Sequence, residues 1–323
     1  MGSRPRFSMI VKKRPLTSPG LRTYSLASRP SKVDLRDFAR PVRRGGSFAE
    51  FFDSWPGFLA ARDFREFTAL MGRARDRHKP VLWAMGAHVI KVGLSPILID
   101  LMKEGWISGL ALNGAGIIHD FEIAYAGRTS EDVEVQIKDG RFGMARETGD
   151  LLNEAIRAGA EENRGLGEAV GRMIARSRFP HRGLSLLATA YRLEIPATVH
   201  VAVGTDIIHF HPRASGEAIG KTSLLDFYRL AEQVRDLNGG GVFLNVGSAV
   251  VLPEVFLKAV SLVRNQGRTL DGFSTAVFDF IRQYRSAENV TRRPLGRKGR
   301  GFYFVGHHEI LIPLLAAALK NQP

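Results

Sequence analysis

Short apolar runs alternate with longer amphipathic stretches along most of the chain, and this alternation constrains the fold more than any other feature. The first apolar run, Pro80 to Met85, is followed by a helical pattern from about Ser95 that stops at Gly105. Further strand-like runs lie at 108–112, 197–203, 206–211, 242–246, 273–280 and 302–305, and helical stretches at about 145–176, 183–192, 222–237 and 308–320. Such alternation is typical of βαβ units. We therefore predict an α/β fold with a mainly parallel sheet flanked by helices.

The basic charge is concentrated at the N-terminus. Of the net charge of +14, residues 1–44 contribute +10, because they carry twelve Lys and Arg against two Asp. This segment is rich in Pro and Ser and has few aromatic residues, so it cannot bury enough apolar area to fold alone. Ser47 and Glu50 then form the pattern of a capping box at a helix start. The sequence predicts a basic, flexible arm over 1–46 and a single α/β domain over 47–323.

Three roles for the basic arm remain open: a solvated arm that embraces a neighbouring subunit, a polyanion-binding arm, or a transit peptide. The nearly neutral body argues against nucleic-acid binding as the main function. No apolar run approaches the roughly 18 residues that a membrane span needs. The absence of cysteine excludes disulfide scaffolds, Cys-ligated zinc and thiol catalysis. We expect a cytoplasmic protein without a membrane partner.

Three predicted strands end in small residues directly before a helix. These turns are Gly86-Ala87, Asn113-Gly114-Ala115-Gly116 and Gly247-Ser248-Ala249. Ligands of parallel sheets bind outside the carboxyl ends of the strands, and small residues let a phosphate approach the N–H groups of a helix N-terminus. The alternative is that the glycines only make tight turns. A separate segment, Gly216 to Thr222, is one residue too short for a phosphate-binding P-loop and is predicted to be a loop before a helix.

Histidines cluster at the predicted strand ends. His209 and His211 alternate on one predicted strand and would share a face. With His200 and Asp206 they could form the metal site of a hydrolase. The alternative is that these histidines are hydrogen-bonding groups that line a cleft, and we predict no metal. A basic loop, with Arg292, Arg293, Arg297, Lys298 and Arg300, is either an exposed loop or a segment that closes over an anionic group.

The order of these motifs resembles that of the deoxyhypusine synthase family, including its homospermidine synthase relatives. The resemblance covers most of 75–320, and its landmarks are Gly86 to Gly93, Asn113 to Asp120, Asp206 to His211, Gly247 to Val251 and Ile312 to Leu315. It implies a Rossmann-like fold and NAD bound at a subunit interface of a homotetramer built as a dimer of dimers. Family members use NAD to oxidise spermidine and pass its aminobutyl group to an amine.

The substrate pocket departs from that family. Pro294 stands where the resemblance implies the imine-forming lysine, and Arg292 stands at the family's tryptophan. Pro253 replaces a histidine, and Ile118 with His119 replaces an acidic pair. Glu288 is retained. Covalent transfer needs a nucleophilic amine, and Lys91, Lys221 and Lys298 are alternatives that spacing does not distinguish.

We therefore predict an NAD-dependent transferase of the aminobutyl-transfer type, which acts on an amine or polyamine-type substrate in a diverged pocket. Two alternatives remain, a metal-dependent hydrolase and a non-catalytic NAD-binding homologue. The predicted cofactor-binding residues are Gly86, His88, Asn113, Gly114, Ala115, Gly116, Gly247, Ser248 and His307. The predicted catalytic residues are His119, Asp120, Asp206, His209 and Glu288, with a histidine as general base.

Overall fold

The computed structural model describes residues 17–296 and 298–322, and the chain divides into two units, Met1–Phe38 and Ala39–Pro323. In the described part of the first unit every residue is exposed. That part contains two short 3-10 helices, Leu26–Ser28 and Leu35–Asp37. The division falls before residue 46, where the sequence predicts the arm to end. Residues 1–16 of that arm, and Arg297 of the basic loop, lie outside the described residues.

The second unit is built on one six-stranded sheet in the order β3-β2-β1-β4-β5-β6. The strands are β1 (Val81–Met85), β2 (Gly109–Asn113), β3 (Ala197–His200), β4 (Val242–Val246), β5 (Ser274–Asp279) and β6 (Arg300–Val305). Every neighbouring pair is parallel. This is the strand order of Rossmann-type dinucleotide-binding folds, and the predicted α/β class is confirmed.

Thirteen α-helices are described. They are α1 (Phe48–Asp53), α2 (Leu59–Asp76), α3 (His88–Lys91), α4 (Ser95–Lys103), α5 (Gly114–Ala126), α6 (Val133–Gln136), α7 (Arg146–Glu161), α8 (Leu166–Arg176), α9 (Leu186–Arg192), α10 (Gly216–Asp236), α11 (Val251–Asn265), α12 (Tyr284–Asn289) and α13 (His308–Lys320). Short 3-10 helices lie at Ile137–Asp139, Arg182–Leu184 and Ile207–His209. No helix among the described residues combines the length and apolar character needed to cross a membrane.

The sheet is covered on both faces, which is why its strands are nearly continuous apolar runs. Alternate residues of β1 join different cores: Trp83 and Met85 pack with α2, α4, α5 and α13, whereas Leu82 and Ala84 pack mainly with α10 and α11. A period of two along each strand produces this division. The helices cover both faces of the sheet. The loops that remain uncovered lie at the two ends of the strands.

The predicted strand at 206–211 is wrong. The strand ends at His200, the chain turns at Gly204 with φ +93°, and Ile207–His209 form a 3-10 helix. Because the run is not a strand, His209 and His211 do not alternate on a common face. The apolar composition of 201–203 suggested a longer strand, but glycine at a left-handed φ redirects the backbone there.

Two helices begin earlier than the sequence predicts. The helix expected to open near His119 begins at Gly114, because the side-chain oxygen of Asn113 accepts the N–H of Gly116 at 3.1 Å. The segment from Gly216 lies inside α10, where the Ser215 hydroxyl caps the helix. Because this segment is helical, it is not a P-loop. The prediction that it forms a loop before the helix is wrong. The capping box at Ser47 and Glu50 forms as predicted.

Candidate functional site

The carboxyl ends of all six strands meet at one edge of the sheet, here called the carboxyl edge. The connections from β1 and β4 lead in opposite directions, so the strand order reverses between them. In open α/β sheets a ligand binds in the crevice that this reversal opens. The turns after β1, β2 and β4, which the sequence predicts to be binding turns, all lie along the carboxyl edge.

The turns after β1 and β4 are in close contact. A Cβ at Gly86 would lie 2.1 Å from the carbonyl oxygen of Gly247, and Gly247 itself has φ +64°. A Cβ at Gly247 would lie 2.7 Å from Cε1 of His308. These clashes are with protein atoms, so packing alone requires glycine at both positions. The tight-turn interpretation therefore accounts for Gly86 and Gly247.

Two histidines lie beside these glycines. His308 is fully buried, and its Nε2 lies 3.2 Å from the Phe278 carbonyl oxygen, which can only accept a hydrogen bond. The Nδ1 of neutral His308 is then an acceptor for the Nδ1–H of His88, 3.1 Å away. This arrangement leaves Nε2 of the exposed His88 as an acceptor. Burial lowers the pKa of His308, which favours the neutral form that this pair requires.

The N-terminus of α5 approaches a carboxylate from the segment after β3. A Cβ at Gly114 would lie 1.9 Å from Oδ2 of Asp206. Only glycine lets that carboxylate approach the first turn of α5, where N–H groups without intrahelical partners attract negative charge. Asp206 is buried, and desolvation raises the pKa of its carboxyl to about 6. Gly114 and Asp206 were predicted separately, and the structure brings them together.

Asp206 and His209 contain two polar atoms that no protein group satisfies. The Nδ1 of His209 accepts the N–H groups of Gly204 and Asp206 at 3.1 and 3.3 Å, so Nε2 of the neutral ring carries the hydrogen. That Nε2 lies 3.8 Å from Oδ2 of Asp206, and both atoms are buried without a hydrogen-bond partner. Burial lowers the pKa of His209. A buried donor and a buried acceptor thus lie next to each other at the carboxyl edge.

Asp120 is buried, and both of its carboxylate oxygens bond to groups inside the protein. Its Oδ2 accepts the Ser185 hydroxyl at 2.5 Å and the N–H of Leu187 at 3.2 Å, and its Oδ1 accepts the N–H of Leu186 at 2.7 Å. The residue is 1% exposed, and burial raises its pKa to about 6 against the effect of these hydrogen bonds. Both oxygens are thus occupied at the N-terminus of α9, where they satisfy first-turn donors.

His119 belongs to a chain of polar contacts that joins α5, the turn after it and α7. Its Nδ1 lies 2.7 Å from the Thr129 hydroxyl, which donates to Oε2 of Glu122 at 2.5 Å. The hydroxyl of Thr148 donates to the other oxygen of Glu122 at 3.0 Å. Burial, followed by the positive charge of Lys91, lowers the pKa of His119 to about 4.

The other predicted residues differ in their exposure and in their contacts. Glu288 lies on α12 in ion pairs with Arg292 and Arg293, and its hydrogen bond with Arg292 lowers its pKa. His307 is exposed near Glu309. The Ser248 hydroxyl accepts the N–H of Leu252, which ties the β4 turn to α11. Ala115 is half-buried in the first turn of α5.

The described residues contain no group of three or more His, Cys, Asp or Glu side chains that could hold a metal ion. His200 is buried with Nε2 3.0 Å from the Thr198 hydroxyl, and burial lowers its pKa to about 4. His211 lies next to Asp150 rather than with His209. The described residues therefore do not form the metal site of His200, Asp206, His209 and His211 that the hydrolase alternative required.

A large cavity lies at the opposite edge of the sheet. It measures about 810 Å³ and includes Pro196 and Ala197 at the start of β3, with Arg192, Arg229 and Gln233 around it. Four arginines and four acids line it, so its charges balance. Oε1 of Gln233 is also buried without a hydrogen-bond partner, but the carboxyl edge has an unsatisfied donor and acceptor next to each other, Nε2 of His209 and Oδ2 of Asp206, and Rossmann-type sheets bind their ligands at that edge. We therefore assign the candidate site to the carboxyl edge.

Sequence reasoning missed several residues of this edge. His308 rather than His307 contacts His88, and Asp279 at the end of β5 is buried with a raised pKa. Burial is the main cause of that rise. A histidine at the start of the terminal helix was the available signal, but adjacent histidines cannot be distinguished without the helix phase. No sequence pattern pointed to Thr129, because it is the turn after α5 that brings Thr129 next to His119.

No family model matches the chain, and no curated protein matches its sequence. Solved structures are similar at the level of the fold. The apo structure of ArgZ, an arginine dihydrolase of the ornithine–ammonia cycle in cyanobacteria, has a TM-score of 0.50 and 16% identity, and the match covers 82% of this chain. AgrE in complex with ornithine and NAD+ has a TM-score of 0.50 and 15% identity over 80% of this chain.

A candidate deoxyhypusine synthase from Entamoeba histolytica is also similar, with a TM-score of 0.50 and 9% identity over 85% of this chain. The match covers 93% of that protein, whereas it covers only 34% of ArgZ and 32% of AgrE. This chain therefore spans about a third of the length of the two arginine-processing proteins. At these identities the similarity shows the fold alone, and the fold agrees with the Rossmann-type strand order.

Proposed function

We propose that the chain binds NAD at the carboxyl edge and acts on an amine or polyamine-type substrate as a diverged transferase. The observation that carries this proposal is the unsatisfied Oδ2 of Asp206 at Gly114, where α5 begins. In Rossmann-type folds a carboxylate near the end of the second strand accepts a ribose hydroxyl of NAD. Asn113 occupies the end of β2, but its oxygen already caps α5. Asp206 supplies a carboxylate beside that position.

The residues present fit the cofactor. The first turn of α5 offers a positive dipole, which stabilises the ionised carboxylate of Asp206. Asp206 offers an acceptor and Nε2 of His209 offers a donor 3.8 Å away. Both atoms are buried without a partner, so a ligand hydroxyl bonds to them only after the protein opens locally around them. Gly116 keeps the strand end close to the helix, since a Cβ there would lie 3.1 Å from Cβ of Leu112. When bound, NAD supplies a two-electron oxidation next to an amine nitrogen.

An amine as the class of substrate is supported by the comparisons and by an acid of this chain. The resemblance to the deoxyhypusine synthase family implies a polyamine, and AgrE, of similar fold, binds ornithine together with NAD+. With Asp206 assigned to NAD, the acid of this chain that would attract a cation at the carboxyl edge is Asp279. Lys91 on α3 is the lysine whose charge acts on His119 at this edge, and it is the candidate for covalent attachment. The self-association that the resemblance implies belongs to the same proposal.

Calorimetric titration with NAD+ tests the cofactor site. In Gly114→Ala the new methyl group collides with Asp206, so we expect NAD+ affinity to fall at least about tenfold, which corresponds to about 1.4 kcal/mol. Gly220→Ala is the matched control, because a Cβ there meets nothing within 4 Å. It should bind NAD+ as the wild type does.

Two outcomes contradict the proposal: no wild-type binding at millimolar NAD+, or equal affinity in the two variants. Thermal unfolding of both variants ensures that a loss of binding is not a loss of folding. Binding without NADH formation on spermidine, ornithine or putrescine would favour the non-catalytic homologue over the transferase.

A further inference from the structure

The contacts around His119 determine which of its ring nitrogens carries hydrogen. The Thr129 hydroxyl has one proton and donates it to the Glu122 carboxylate. Toward His119 this hydroxyl can therefore only accept, so Nδ1 of His119 carries the hydrogen of that 2.7 Å contact. In the neutral ring the lone pair then lies on Nε2.

The backbone after α5 makes this arrangement possible. The helix ends at Gly127 with φ +68°, which turns the chain so that Thr129 lies back along α5. His119 and Glu122 are three residues apart and share a helix face. Thr129 bridges them, while Thr148 on α7 fixes the other oxygen of Glu122. Two helices and one turn thus orient a single imidazole.

His119 lies within reach of the charge on α3, the helix that follows the β1 turn at the carboxyl edge. Side chains tilt toward the N-terminus of a helix, so the imidazole leans toward the turn that contains Ala115. The short helix α3, which follows the β1 turn, packs on α5. Its Lys91 is the charged group whose field reaches His119, while Glu122 reaches the ring through Thr129.

We infer that Thr129 and Glu122 are positioning residues that fix His119 with a bare Nε2, which accepts a hydrogen bond from an uncharged N–H or O–H group of the bound ligand. The identity of the ligand rests on the proposed function, in which NAD offers ribose hydroxyls and a carboxamide. Lys91 disfavours an ammonium group at the same point, because like charges repel. His119 is then a recognition residue rather than the predicted general base, since burial and Lys91 oppose its protonation.

Nitrogen-15 NMR of the full chain with labelled histidine tests this inference. His119, assigned through His119→Gln, should show a pyridine-type Nε2 and a pyrrole-type Nδ1 at pH 7. In Thr129→Val both signals should move toward the average of the two tautomers, and Thr129→Ser should restore the wild-type pattern. A protonated Nε2 in the wild type, or an unchanged pattern in Thr129→Val, would overturn the inference.

Added NAD+ tests the recognition role. It should shift the Nε2 signal of His119 and leave that of His78, which lies before β1 at the opposite edge, unchanged. NAD+ that binds by calorimetry without moving the His119 signal would overturn this role. If NAD+ does not bind at all, the proposed function fails, and the tautomer pattern still decides whether Thr129 and Glu122 position the ring.

Discussion

A buried polar atom without a partner does not by itself distinguish a ligand-facing residue from a structural one in this chain. Asp206 and Asp226 are both buried acids with one oxygen that lacks a partner. Asp226, however, bonds through Oδ2 to the N–H groups of Gly167 and Val199, each at 2.8 Å, within a packed layer of α8, α10 and β3. Asp206 lies instead at a helix N-terminus on the carboxyl edge. The environment, rather than the residue type, separates the two roles.

Asp226 should make the folding stability pH-dependent. Burial raises its pKa to about 7 from the ordinary 3.8, so the stability it contributes is full below about pH 4 and is lost as the pH rises through 7. The amide introduced by Asp226→Asn does not titrate. Relative to this variant, the wild type should lose at most about 4 kcal/mol of unfolding free energy between pH 4 and 8.

Urea unfolding of both proteins at pH 4 and pH 8 measures this difference, and the other titrating groups cancel in the comparison. An equal difference in unfolding free energy at both pH values would show that Asp226 is not held with a raised pKa.

Individual elements were predictable where pattern and length agreed. Buried strands such as β4 and the terminal helix α13 have the predicted limits, because continuous apolar runs and helical spacing define them. The segment after β3 was not predictable, since its apolar residues continue past the point where Gly204 turns the chain. The start of α5 depended on one side-chain cap from Asn113, which a periodicity analysis does not weigh.

The cap of α9 provides a test at this scale. Asp120→Ala leaves the Ser185 hydroxyl and the N–H groups of Leu186 and Leu187 without their acceptor inside the protein. Each unsatisfied buried group costs about 1–3 kcal/mol, so we expect a loss of at least about 2 kcal/mol in chemical denaturation. Asp120→Asn, which keeps an acceptor, should lose less. Full stability with lost turnover would instead support the predicted catalytic role of Asp120.

The whole molecule offers two edges of one sheet for a ligand. The predicted glycine turns do lie together at the carboxyl edge, because parallel strands end together; that a ligand binds there stays a prediction. The sequence could not predict which residues meet there, since Gly114 with Asp206 and His88 with His308 are brought together by the packing of distant segments. The role of the basic arm and the predicted homotetramer stay predictions.

Hydrogen–deuterium exchange with and without NAD+ tests most directly whether the ligand site is at the carboxyl edge. Peptides that cover 86–93, 113–119 and 204–211 should gain protection when NAD+ is present. Peptides around Arg192 and Gln233, which line the 810 Å³ cavity at the opposite edge, should exchange as before. Protection at that cavity, with none along the three carboxyl-edge segments, would contradict the assignment.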